Sequence, residues 1–279
     1  MKVSPRYEGP QILSIDGPAD DQAVVIARQR RRMESLLVDL TDDEWNAPSR
    51  CDGWTVQDVV AHLVGVNAFW EASVSAGLAG TPTRVLAAFD PVVHPAMMVD
   101  AMRAQTPREV LGQFVASNDG FLGALAPLGD DGWAILAESP AGHVSIRLLA
   151  YHALWDAWIH ERDIAFPLGL TPAEEADELE SSLRYAAAVG PALTISADDA
   201  FSGALGVIAT DPDVHFTVDV AGSVAVHDRV PTDDMPCLRG SAVELIEALS
   251  IRAPLPAGTC TEWHQLVNGL ATVFDSAPA

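Results

Sequence analysis

Basic side chains are scarce in this chain. Sixteen Lys and Arg stand against 39 Asp and Glu, a formal net charge of −23 over 279 residues. A surface of that sign repels nucleic acid and anionic membrane, and the one dense basic block, Arg30-Arg-Arg32, is too short to reverse it. That block falls inside an amphipathic helical stretch and is expected to face solvent or pair with nearby carboxylates. Cysteine is equally sparse. Cys51, Cys237 and Cys260 are an odd number without CxxC spacing, which excludes a disulfide framework and a thiolate zinc site. No run reaches the 18 apolar residues of a membrane span, and the N-terminal stretch has no apolar signal core. The protein is therefore expected to be cytoplasmic, a monomer or homodimer with no nucleic-acid or membrane partner. Low-complexity segments and internal repeats are also lacking.

What is present is enough apolar material for a real core. The chain is 49% hydrophobic, and its length holds one large domain or two ordinary ones. Residues 1–19 contain Pro5, Pro10, Gly17 and Pro18 and read as an irregular leader. An amphipathic helix is expected over residues 20–40, with Asp20 or Asp21 as N-cap. Thr41-Asp-Asp-Glu44 and Thr55-Val-Gln-Asp58 match capping boxes, and Thr106-Pro107 starts another helix with proline in the first turn. Residues 77–95 and 129–142 read as loops. Together with a last helix over residues 145–166, this makes residues 20–170 a four-helix bundle. Beyond a further helix to residue 189 the texture changes: residues 205–209, 215–221 and 223–229 are short valine-rich segments separated by turn signals, and read as strands. The fold class is α+β, a bundle of residues 20–170 followed by a small α+β domain of residues 171–279.

Residues 151–163, YHALWDAWIHERD, carry the chemistry. On a helix, His152, Asp156 and His160 are four apart, so each successive member turns about 40° and rises roughly 6 Å. An imidazole and a carboxylate at that spacing can serve one divalent metal. The surrounding residues are apolar nearly all round, so the helix is buried and its ionisable groups need partners. Hydrogen bonding among themselves in a core fits the spacing as well as metal ligation does. His62, two turns into the helix that opens at Thr55, is a possible third ligand; a packed core histidine is the other reading. Trp54, Trp70, Trp155 and Trp158 are expected in the core, Cys51 is expected to pack, and His94 and His143 are assigned no role.

Two motifs together, SRCDGWTVQDVVAH at residues 49–62 and HxxxDxxxHERD at residues 152–163, resemble the N-terminal domain of the mycothiol-dependent maleylpyruvate isomerase family, within the DinB-like metal-binding bundles. Residues 238–252, LRGSAVELIEALSIR, are similar to that family's smaller C-terminal domain, which resembles sterol carrier proteins. The resemblance implies a divalent metal, zinc by preference, held by His62, Asp156 and His160. The family's acid is typically Glu. Aspartate is one methylene shorter, roughly 1.5 Å less reach, so the resemblance leaves room for a closer helix, a bridging water or His152 as substitute ligand.

Three protein ligands leave open coordination positions, as in catalytic sites. The resemblance then implies mycothiol, the small thiol of actinobacteria, acting as a thiolate on a small electrophilic substrate, with isomerisation or S-transfer as the outcome. It further implies that Arg252 steers a substrate carboxylate through paired hydrogen bonds; an exposed residue ending a helix is the other reading of that position. Asp163 is expected to accept from a ligand imidazole or to anchor Arg162. The same open site suits a thiol-independent metalloenzyme, and the same scaffold suits a non-catalytic ligand-binding protein.

Overall fold

The structure, a computed structural model, describes residues 5–17, 22–195, 201–259 and 261–274. Among them the expected α+β fold is observed, a helical N-terminal part followed by a sheet. In chain order, β1 (Leu13–Ile15), α1 (Gln22–Val38), α2 (Asp42–Trp45), α3 (Val56–Leu78), α4 (Val93–Asp100), α5 (Pro107–Leu125) and α6 (Asp130–Trp133) precede a hairpin of β2 (Leu136–Ser139) and β3 (Gly142–Ser145). Helices α7 (Ile146–Ala165) and α8 (Ala176–Ile195) follow. The rest is β4 (Ser202–Thr210), β5 (Val214–Ala221), β6 (Val224–His227), β7 (Cys237–Ser241), α9 (Ala242–Leu249), α10 (Thr261–Val267) and α11 (Gly269–Val273).

The bundle is α1, α3, α5 and α7, each packed against its neighbours. Its helices start where side chains can satisfy the free amides of the first turn. Thr41, Thr55 and Thr106 each close a capping box, with Glu44, Asp58 and Glu109 returning to the cap amide, and each cap is worth about 1 kcal/mol. Asp20 and Asp21, the expected caps of α1, lie outside the described residues. Helix α3 has the length and composition of a membrane span, yet half of it is buried inside this fold, with Asn67 and Ser73 hydrogen-bonded to other elements.

Five strands form one sheet in the order β1-β6-β5-β4-β7, antiparallel in its centre and parallel at both edges. Alternation on β5 puts Val214, Phe216, Val218 and Val220 inward, and α8 lies against this face. Helix α8 also packs along α7, so the larger core cluster runs without a break from Trp70 and Leu154 of the bundle to Leu205 and Phe216 of the sheet. A second cluster around Trp45, Val59 and Phe114 fills the other end of the bundle.

Several expectations differ from the structure. The leader is not wholly irregular, because Leu13–Ile15 adds a parallel edge strand to β6 and buries Ile12 and Leu13. The stretch read as a loop at residues 129–142 is a short helix and the first part of a hairpin. The loop read at residues 77–95 holds a 3-10 turn at Val85–Ala88 and the start of α4. Buried Glu138 of β2 orders that region, accepting from Tyr7 Oη (2.5 Å), Thr83 Oγ1 (2.6 Å) and the amides of Val85 and Leu86 (2.9 and 2.8 Å). Arg31 and Arg32 do pair with carboxylates, whereas Arg30 points inward and donates to Gln29, Asn67 and the Ala153 carbonyl.

Candidate metal centre

Helices α3 and α7 face each other, and their histidines meet between them. The rings of His62 and His160 lie 5.0 Å apart, nearly edge to face. Asp156, one turn before His160, brings Oδ1 to 3.7 Å from His160 Nε2, beyond hydrogen-bonding reach. One ligand atom from each of His62, Asp156 and His160 falls within a mutual 4.8 Å. Tetrahedral bonds of about 2.1 Å to one cation would set such atoms roughly 3.4 Å apart, so small rotamer adjustments close the site.

Polar satisfaction points the same way. Among the described residues Asp156 Oδ2 and His62 Nδ1 are buried without a hydrogen-bond partner, and buried polar atoms left in that state are costly unless something is bound. Burial pushes His62 down to about 4, with the neighbouring charge of His160 adding to the effect, so its imidazole is neutral and free to ligate. Burial would raise Asp156, but His160, His62, His152 and Arg30 together hold it below the usual carboxylate range. The donor set, two imidazoles and a carboxylate with unfilled positions, fits a divalent cation such as zinc.

His160 is oriented from behind. Its Nδ1 lies 3.0 Å from Asp163 Oδ2, which leaves Nε2 turned to Asp156 and His62. A carboxylate gripping the remote nitrogen fixes the tautomer and the ring plane of a ligand histidine. Burial disfavours the His160 cation, but the hydrogen bonds to Asp163 and Cys51 and the Asp156 charge raise it to about 10. Asp163 is itself held by two guanidiniums. Arg252 donates Nε and Nη2 to its two oxygens at 2.9 and 2.8 Å, and Arg50 donates Nε at 3.0 Å. Burial opposes the carboxylate charge, yet His160 and Arg252 hold Asp163 far below the ordinary range.

The site residues named from sequence thus fall in two layers. His62, Asp156 and His160 converge. Arg252 sits one layer out, with Nη2 3.7 Å from Cys51 Sγ and Nη1 3.3 Å from the Ser250 carbonyl. These contacts engage four of the five N–H groups a guanidinium offers, so a paired grip on a substrate carboxylate requires Arg252 to release Asp163. His152 is turned aside: its Nδ1 is 2.6 Å from Tyr185 Oη on α8. Asp163 accepts from His160, while Arg162 stacks on Trp158 with its centre 3.3 Å from the ring. Cys51 does more than pack, donating to Asp163 Oδ2 at 3.2 Å. Cys51, His160 and Asp163 also cluster at ligating distance, but two guanidiniums already neutralise that carboxylate and would repel a cation. Arg50 and Glu247 were missed. Arg50 continues from Asp163 to Glu247 of α9 at 2.7 Å, tying α9 to the bundle; its place beside Cys51 in the motif was the available signal.

A helical bundle with a buried His–Asp–His cluster between two helices, joined through α8 to a five-stranded sheet, is the class these elements define. The chain belongs to the family described as Mycothiol maleylpyruvate isomerase N-terminal domain, whose sequence model matches residues 26–165. No curated protein matches the chain. Among solved structures it is similar to a mycothiol-dependent maleylpyruvate isomerase at 16% identity and to a histidine-to-alanine variant of that name at 15%. In both comparisons the TM-score is 0.61, with 85% of this chain and 91% of the other covered. At such identity the likeness establishes the fold.

Proposed function

We propose that the protein is a metal-dependent enzyme that directs mycothiol or a similar small thiol onto a small electrophile, as an isomerase or S-transferase. The observation that carries the reading is the convergence of His62, Asp156 and His160, with His160 aimed by Asp163 and two buried polar atoms lacking partners among the described residues. Bound there, a divalent cation supplies a Lewis acid that favours the thiolate form of a thiol. Asp156 offsets the cation's charge. Asp163, itself held by Arg50 and Arg252, keeps the proton of His160 on Nδ1 and so leaves Nε2 a ligand. Trp54, whose ring is 5.4 Å from that of His62, helps keep water from the cluster. Arg252 is assigned to positioning, with one N–H left for a substrate oxygen.

The test is turnover of maleylpyruvate and of simple electrophiles, with and without added thiol, by protein loaded with zinc. Thiol-dependent loss of substrate, abolished in His62→Ala, is expected. Turnover indifferent to thiol would replace the reading with a hydrolytic metalloenzyme, and no turnover of any kind with a chelator-insensitive ligand affinity would replace it with a binding protein.

A further inference from the structure

Arg30 turns away from its basic neighbours and into the bundle, where it is buried. Nη1 donates to Gln29 Oε1 at 2.6 Å, and Nη2 donates to Asn67 Oδ1 at 3.3 Å and to the Ala153 carbonyl at 3.0 Å. All three acceptors are neutral. A buried cation with no carboxylate on it is costly. The rest of the run is treated differently: Arg31 holds Glu34 at 2.7 Å, and Arg32 holds Glu161 and Glu178, each at 2.7 Å.

The contacts fix where the charge sits. Ala153 lies one turn before Asp156 on α7, and its carbonyl, directed along the helix axis, reaches toward the level of Asp156. Asn67 follows His62 by five residues on α3. The guanidinium therefore lies within about a turn of the His62, Asp156 and His160 cluster, among α1, α3 and α7. Arg30 Nε and Asp156 Oδ2 are both buried without a hydrogen-bond partner among the described residues. Burial pushes Arg30 down to about 10, and Asp156 is the strongest of the carboxylates that oppose the shift, ahead of Glu161 and Glu34. Those two are already committed to Arg32 and Arg31, which leaves Asp156 to face Arg30.

We infer that Arg30 is a positioning residue of the metal centre, a fixed positive charge that weakens its hold on the cation and biases its open positions toward anionic ligands. The inference rests on the metal reading above and adds a preference of sign that the three ligands alone do not supply. Asp156 offsets one of a divalent cation's two charges, and Arg30 puts that charge back. In a buried site Coulomb interactions are poorly screened, so the extra charge is felt at the open positions as well as by the cation. Arg30 touches none of the three ligands, and its effect on the centre is through its field.

The test reads binding, not turnover. Zinc affinity is measured by competition with a chromophoric chelator, and azide affinity by the visible spectrum of cobalt-loaded protein. Two variants cancel the charge by separate routes. Arg30→Gln removes it and keeps hydrogen-bonding capacity, and Asn67→Asp sets a carboxylate against it. Both are expected to bind zinc at least about tenfold tighter and azide at least about threefold weaker than wild type, since a divalent ion feels a unit charge twice as strongly as a monovalent one at a similar distance. Arg30→Lys, which keeps the charge, should stay within about twofold of wild type for both. A merely structural role moves zinc the other way, because a loosened site holds metal less well. Should Arg30→Gln fail to fold, Asn67→Asp decides. Zinc binding that is unchanged or weaker in the folded charge-cancelling variants, azide binding that is unchanged or stronger, or an Arg30→Lys protein that matches Arg30→Gln would overturn the role of Arg30 and leave the metal centre standing. Wild-type protein that binds neither zinc nor cobalt would overturn both.

Discussion

Replacing Asp163 by Asn removes one charge and almost no volume from the most heavily connected point of the site. The carboxylate is fully buried and accepts from His160, Arg50, Arg252 and Cys51. Removing one partner of a buried ion pair typically costs about 3–5 kcal/mol, because the other charge is left without compensation. Arg50 and Arg252 keep 23% and 20% of their side-chain surface in water and regain some hydration, so the lower end, about 3 kcal/mol, applies. For a chain of this size that is roughly 6–12 °C in Tm, read by calorimetric scans of wild type and Asp163→Asn side by side. The sign of the pH dependence follows from the depressed folded-state acidity of Asp163. Its contribution is present above the ordinary carboxylate range and lost as pH falls below about 4. The gap between the two proteins should therefore be widest near pH 6, narrowing in acid as Asp163 takes up a proton and above about pH 6.5 as His160 loses the proton that Asp163 holds. A gap under about 1 kcal/mol at pH 7, or one that widens in acid, would refute the placement of Asp163 as the hub.

Glu138→Ala should free the segment over residues 83–86, since four donors lose a buried acceptor. About 2–4 kcal/mol of stability is expected to go, with faster amide exchange at Val85 and Leu86 as the specific readout. In metal-free protein three histidines set the pH profile. His62 and His152 are lowered to about 4, burial being the main cause in both, so their contribution is present above about 6.5 and lost as pH falls toward 4. His160, raised to about 10, contributes below about 6.5 and loses that contribution as pH rises toward 10. Urea denaturation should thus find a stability maximum near pH 6.5, falling on either side by at most about 1.4 kcal/mol per pH unit per group. A profile that rises steadily through that region would contradict the assignment.

Much of this was legible because local chemistry is written locally. The capping boxes at Thr41, Thr55 and Thr106 announce their helices, and the four-residue spacing in α7 puts Asp156 and His160 on one side. Alternating valines mark β5 without reference to anything distant. What escaped the sequence depends on partners far away in the chain. Leu13–Ile15 is a strand only because β6, more than 200 residues later, offers an edge. Arg50 is indistinguishable from a surface arginine until Asp163 and Glu247 arrive beside it. His152 carries the same spacing signal as His160, and only Tyr185 on α8 turns it to another task. Arg30, in a run of three arginines, is buried because Asn67 and the Ala153 carbonyl wait inside the bundle, which no periodicity reveals.

The central claim is that His62, Asp156 and His160 hold one divalent ion. Mass spectrometry of tag-free protein for bound metal, wild type beside Asp156→Ala, tests it most directly. About one zinc or other divalent ion per chain is expected in the wild type, with little or none in the variant at unchanged fold. A wild type that carries no metal and takes up none on reconstitution, or an Asp156→Ala protein that retains a full complement, would contradict it.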